Sequence, residues 1–535
     1  VRRAVIIGGG HNGLVCAFYL ARAGVKVTVC ERRTVVGGAA VTEEFHPGYR
    51  NSVASYTVSL LNPKVVADME LARHGLRIVH RRMGNFLPLP DSRALEAGQG
   101  RTKASVAQFS QRDAENLDGY DAMLAVAADV LRDLVLKTPP NVTEGGWFGA
   151  VPELLKSAAL GAKISALPMA ARRDVLDLFT VSAAEFLDRW FVSDPVKALF
   201  GFDGIVGNWV GPETPGTAYV LLHHQFGEVN GRKGEWGHAI GGMGAITAAM
   251  RSACEALGVA VLTDAAVAQV TSAGNRVTGV VLKDGRVFDA DVVAANVHPQ
   301  LLFGDMVAAR DLPDDFRRRI GWWQSGSGTF RMNVALDRLP SFTARPREGD
   351  HLTAGIIIGP SLAYMQRAYE DSKAHGWSRE PVVEMLIPST LDTTLAPEGR
   401  HVASLFCQHV MPRLPEDFSG GSSWDDHRET VADLMIATVD RYAPGFASSV
   451  VGRQINSPLD LERTFGLVGG DIFHGRLTLN QLFSARPVLG HGNYRAPLKG
   501  LYMCGSSTHP GGGVTGAPGH NAAREILSDL RVRRA

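Results

Sequence analysis

Ala4-Val5-Ile6-Ile7-Gly8-Gly9-Gly10-His11-Asn12-Gly13 sets four apolar residues directly before a G-x-G-x-x-G run. The tetrad reads as a buried parallel strand; an Ala- and Leu-bearing helix to about Ala23 and the β-branched run Val25 to Val29 follow it. This is a strand-helix-strand unit. Within it Gly8 permits the tight turn, Gly10 lets the backbone approach a diphosphate, and Gly13 lets the helix pack close on the strand. The helix N-terminus attracts the phosphate charge. Glu31, just past the second strand, stands where a carboxylate accepts hydrogen bonds from the adenosine ribose hydroxyls.

Two further features turn a dinucleotide reading into an FAD reading. Gly37-Gly38 lies where the chain runs close to the diphosphate and ribityl groups. The second is Gly500-Leu501-Tyr502-Met503-Cys504-Gly505-Ser506-Ser507-Thr508-His509-Pro510-Gly511-Gly512-Gly513-Val514-Thr515-Gly516, a strand and a glycine loop, with a helix through about Leu530 after it. Too little chain follows for another nucleotide unit. The segment is expected to close the site, its helix N-terminus stabilising negative charge at N1 and O2 of the reduced flavin.

At 535 residues the chain is longer than a single hydrophobic core supports, so two domains are expected. Lys and Arg total 55 against 54 for Asp and Glu, which leaves no positive field to hold nucleic acid. Five cysteines without a C-x-x-C pair argue against both a redox dithiol and a secreted disulfide framework. No signal or transit segment is expected ahead of a strand that begins by about Ala4, and no apolar run approaches the roughly 18 residues that span a bilayer. A cytoplasmic protein is the expectation.

Apolar positions at helical spacing predict a helix from about Asp113 to Val135, ended by Pro139-Pro140. Short apolar segments at 153–166, 172–180, 182–191 and 194–203 suggest a helical cap. Near residue 240 the texture changes: Gly241-Gly242-Met243-Gly244 opens a helix, strands follow with a hairpin turn at Asp284-Gly285, and Asp291 to Ala295 returns as a buried strand. Ser423 and Pro444-Gly445 bracket another helix. The expected fold is α/β: a discontinuous, Rossmann-like FAD-binding domain (1–75, 236–300 and 455–535) and an interleaved α+β substrate domain with the cap (76–235 and 301–454).

The N-terminal run, Gly37-Gly38-Ala39-Ala40-Val41-Thr42, Gly241 to Gly244, Gly469-Gly470-Asp471-Ile472-Phe473-His474-Gly475, Gln481, Arg486-Pro487 and His509 to Val514 resemble the phytoene desaturase-related flavoproteins, above all the branch named for pyridine nucleotide-disulfide oxidoreductase domains. The resemblance covers essentially the whole chain. It implies one FAD, two interleaved domains, and chemistry on carbon–carbon bonds of apolar polyenes. It also puts Gly8, Gly10, Gly13, Glu31, Gly38, Val267, Gly505 and Gly516 on FAD contacts, Val267 through its backbone. Amine-oxidase relatives carry Arg where Ala39 stands, which weighs against amine oxidation. A disulfide reductase needs a cysteine pair and normally a second nucleotide domain, and the sequence shows neither.

Oxidising a C–C bond needs a hydride acceptor, flavin N5, and one base. His474 and His509 are the candidate catalytic residues, each set against the alternative of a loop histidine bonded to backbone. His223-His224 lacks partners at metal spacing and reads as a packed pair, so no metal is expected. Ser327 lacks a nucleophile-elbow pattern. The expected activity is desaturation of a largely apolar, polyene- or lipid-like substrate, with oxygen or a quinone as electron acceptor and a peripheral membrane contact through the cap. A non-redox FAD-dependent isomerase and a Rab escort or GDI-like binding protein are the alternatives.

Overall fold

The computed structural model describes residues 2–141, 146–223 and 227–531; His224 falls outside them. Arg3–Ile7 (β1), Lys26–Cys30 (β2), Ala260–Leu262 (β3), Val292–Ala295 (β4) and Leu501–Met503 (β5) form, among these residues, a parallel sheet in the order β3-β2-β1-β4-β5. Every neighbouring pair is parallel, as it must be when each strand returns through a crossover. The direction of strand order reverses between β1 and β4, the place where doubly wound sheets open a ligand crevice at their carboxyl ends.

Both sheet faces are covered, so the strands read as unbroken apolar runs. On one face Ala4, Ile6, Val27 and Val29 pack against helices His11–Arg22 (α1), Gly244–Ala256 (α3) and Ala517–Asp529 (α4). On the other, Val5, Ile7, Val293 and Met503 lie in one core with the antiparallel strands Val267–Ala273 and Arg276–Leu282. Asp284-Gly285 makes the next turn, into Val287–Asp289.

A second sheet runs Val450–Asn456, Thr329–Leu336, His401–Val410, Trp377–Leu386, Gly355–Ile358, Asn85–Pro88, Ala94–Ala97. One face of Thr329–Leu336 carries Phe330, Met332, Val334 and Leu336 into the core under helix Trp424–Tyr442, which Ser423 and Asp426 open with a capping box. The other face carries Arg331 and Asn333, which are buried as well, against residues 51–56 of the chain's first segment. The predicted long helix is Gln111–Val135 (α2), and Met169–Thr180, Ala183–Asp188 and Asp194–Gly201 follow as cap helices. Among the described residues no helix is long and apolar enough to cross a membrane.

The tightest crossing joins the first helix to the last. A Cβ on Gly519 would lie 2.1 Å from the Asn12 carbonyl oxygen, so α4 sits on α1 only because glycine stands there. Gly519→Ala is therefore expected to lower stability by roughly 1–3 kcal/mol. Gly161→Ala, at a helical position open to solvent, is expected to leave stability unchanged or slightly raised. Thermal melts of the two variants check this; equal midpoints would show that the crossing is not constrained.

Candidate functional site

A cavity of about 360 Å³ opens beyond the carboxyl ends of β1 and β4. Gly8, Gly10, Glu31, Gly37, Gly38, Val267 and Asn296 line it. Gly10 precedes α1 without a side-chain cap, so the first-turn amides have no capping acceptor. The two glycine runs touch: the Gly37 amide donates to the Gly9 carbonyl at 2.9 Å, and a Cβ on Gly38 would stand 3.3 Å from Gly10 Cα. The Glu31 carboxylate accepts the amides of Gly9 (2.8 Å) and Arg33 (2.9 Å), which holds β2's end against the glycine turn.

His11, Ala39, His474 and Ser506 line this cavity and also a second one of about 130 Å³. The second is walled mainly by Val58, Leu60, Met243, Ile246, Phe473 and Val514, and the cap region contributes Val206. One side differs. Tyr56 donates its hydroxyl to Glu384 at 2.5 Å, and the Arg331 guanidinium lies 4.2 Å from the centre of its ring. Burial draws the Arg331 guanidinium down to about 10, and burial with the nearby Glu384 charge drives the Tyr56 phenol well above its usual value. A buried ionic cluster thus backs the aromatic wall of an otherwise apolar space.

His474 owes its place to two buried charges. Asp471 accepts the amides of Phe473 (2.8 Å) and Gly475 (3.0 Å), while Arg486 donates to the carbonyls of Phe473 (2.7 Å) and Ser506 (2.9 Å). Between these grips His474 takes φ +56°, a left-handed conformation costly for a side chain with a Cβ, and Gly475 follows with the Trp323 ring where a Cβ would be. Burial, with help from the Arg486 charge, holds the His474 imidazole down at about 4, so it is neutral at pH 7. Its Nδ1 is buried without a hydrogen-bond partner.

The sequence profile of flavin-containing amine oxidoreductases matches residues 13–329. The chain belongs to that family. It is 41% identical to pyridine nucleotide-disulfide oxidoreductase domain-containing protein 2 of Rattus norvegicus, over 99% of this chain and 94% of that one. It is 25% identical to a lycopene-forming phytoene desaturase of Pseudescherichia vulneris, over 99% and 100%. Among solved structures, putrescine oxidase bound to putrescine superposes with a TM-score of 0.59 at 17% identity, covering 99% of both chains, a likeness of fold.

This family member is an FAD-dependent oxidoreductase, and its cavity fits FAD. The uncapped start of α1 and the side-chain-free approach of Gly10 to Gly38 leave room and donors for a diphosphate, and the volume lies within the usual range for cofactor clefts. Of the residues expected on FAD, Gly8, Gly10, Glu31, Gly38 and Val267 line the cavity. Gly13, Gly505 and Gly516 stand behind it: a Cβ on Gly13 would lie 2.2 Å from the Gly8 carbonyl oxygen, one on Gly505 2.9 Å from Asn296 Oδ1, and one on Gly516 within 3.2 Å of Val15 and Val65 side chains.

His474 reaches both cavities, but His509 reaches neither. The His509 Nε2 lies 2.9 Å from the Leu134 carbonyl at the end of α2, its ring stacks on Phe483, and burial holds the imidazole at about 4. Its position ties the C-terminal loop to α2, off the lining of both cavities, although the sequence offers it as a catalytic candidate. Sequence reasoning missed Asn296, whose Nδ2 lies 3.4 Å from the Gly8 carbonyl, although it directly follows a strand that was legible. It also missed the Tyr56–Glu384–Arg331 cluster, for which a lone Arg inside the alternating strand 329–336 was the available signal.

Neutral buried histidines make stability depend on pH. Burial lowers His11, His474 and His509 to about 4 and His409 to about 3, against about 6.5 in the unfolded chain. Between those values the unfolded chain binds more protons, so their stabilisation is complete above about pH 6.5 and lost as pH falls toward 4. Each proton difference contributes up to about 1.4 kcal/mol per pH unit. Urea midpoints are expected to fall clearly from pH 7 to pH 5; a flat profile would contradict the burial of these rings.

Proposed function

We propose that this FAD-dependent oxidoreductase desaturates C–C bonds of a largely apolar, polyene- or lipid-like substrate. The observation that carries the reading is the apolar cavity joined to the dinucleotide cavity at His11, Ala39, His474 and Ser506. A hydrocarbon gains by leaving water for such walls, roughly 25 cal/mol for each Å² buried. The full-length similarity to a lycopene-forming phytoene desaturase supports the same class.

In this reading residues 1–75, 236–300 and 455–535 hold the cofactor, and 76–235 and 301–454 hold the substrate. Gly8, Gly10, Glu31, Gly38 and Val267 contact FAD directly, while Gly13, Gly505 and Gly516 let backbone close in behind them. FAD supplies the two-electron oxidant, and oxygen or a quinone restores it. His474 takes the proton lost from the neighbouring carbon, since it is neutral, faces the junction of the two cavities and has an unshared Nδ1. Exposed Leu154, Leu155, Met169 and Leu176 on the cap helices support a peripheral membrane contact for a protein of the cytoplasm.

Anaerobic mixing of the holoprotein with carotenoid, terpene, long-chain lipid and primary amine panels tests the proposal. Bleaching of the flavin by an unsaturated hydrocarbon or lipid, with a product two hydrogens lighter by mass spectrometry, is the expected result. Bleaching by amines alone would overturn it in favour of amine oxidation. A product of unchanged mass without net bleaching would mean isomerisation. His474→Gln is expected to slow bleaching by about 100-fold or more while FAD stays bound.

A further inference from the structure

His11 occupies a position that the G-x-G-x-x-G pattern leaves open, so diphosphate binding does not explain a histidine there. It begins α1 and lines both cavities. Its Nε2 lies 3.2 Å from the Gly513 carbonyl oxygen. A carbonyl only accepts, so Nε2 carries the proton and Nδ1 the lone pair. The next residue makes a parallel contact: Asn12 Nδ2 donates to Ser506 Oγ at 3.1 Å. The start of the first helix therefore reaches the far loop at two points about 500 residues away in sequence.

That loop needs an outside anchor. Gly511, Gly513 and Gly516 have φ of +119°, +98° and +73°, values that glycine alone adopts freely, so the run has little conformational preference of its own. The Gly513 carbonyl is held by the Thr515 amide at 3.0 Å and by His11. Without the imidazole, one of the two donors that hold this carbonyl is lost. Gly513 lines the second cavity beside His11 and Ser506, which the two cavities share, so a carbonyl released there is free to turn at the junction.

We propose that His11 is a positioning residue for the cofactor, holding the Gly513 carbonyl, and with it the C-terminal glycine loop, in the orientation that FAD binding requires. The donor at Nε2 does this, not the bulk of the ring. Gln reproduces a donor at about the Nε2 distance from the backbone; Asn places it near Nδ1, short of Gly513.

The test compares His11→Ala, His11→Asn and His11→Gln in the full-length holoprotein. FAD dissociation is read by recovery of free-flavin fluorescence, and the flavin absorption spectrum is recorded at saturating cofactor. The Ala and Asn variants are expected to bind FAD about fivefold more weakly, the equivalent of one hydrogen bond, with a displaced spectrum. His11→Gln is expected to restore both. Wild-type affinity in His11→Asn, or failure of Gln to recover what Asn loses, overturns the proposal, and this pair decides it even where the Ala variant does not fold.

Discussion

The site depends on backbone approaching backbone without intervening side chains. Gly13 lets α1 rest on the turn at Gly8, Gly38 lets the second loop meet Gly10, and Gly519 lets α4 cross α1 at Asn12. Each approach is closer than any Cβ tolerates or nearly so. Glycine backbone from two loops lines the dinucleotide cavity beside Glu31, Arg33 and Lys283, while the buried Asp471 and Arg486 aim the loop that carries His474.

This division of labour explains which parts the amino-acid sequence disclosed. The strand-glycine-helix unit and Glu31 are local, their residues within one short stretch, and periodicity with turn chemistry was enough to place them. The parallel sheet followed from the same rules. Asn296 and Arg486 act on residues brought near by tertiary folding, and Asp471 joins its own turn to the distant Gly326 amide, pairings that no local pattern discloses. His509 shows the converse: a histidine adjacent to a glycine loop resembles a catalytic group until the end of α2 is found bonded to its ring.

The fold alone leaves the chemistry open. A putrescine oxidase superposes over nearly the whole chain, which fits a shared scaffold that carries different reactions by changing a few walls. Here one wall of the second cavity is Tyr56, with Arg331 beneath its ring and Glu384 on its hydroxyl. Removing such charges from water costs several kcal/mol per ion unless partners compensate. The cluster joins the polar face of the second sheet to the segment 54–60 that lines the second cavity.

The central sheet order has a consequence for biosynthesis. β5, at residues 501–503, is the outer neighbour of β4 at 292–295, and α4 covers the face that α1 begins. On the ribosome the phosphate loop at residues 8–13 emerges about 500 residues before the loop that meets it through Ser506 and Gly513. Contacts of such sequence separation are slow to form, and the exposed edge of β4 and the uncovered flank of α1 are sticky in the interval. The dinucleotide cavity, which Ser506 helps to line, is complete only once that late segment has been made and has docked on α1.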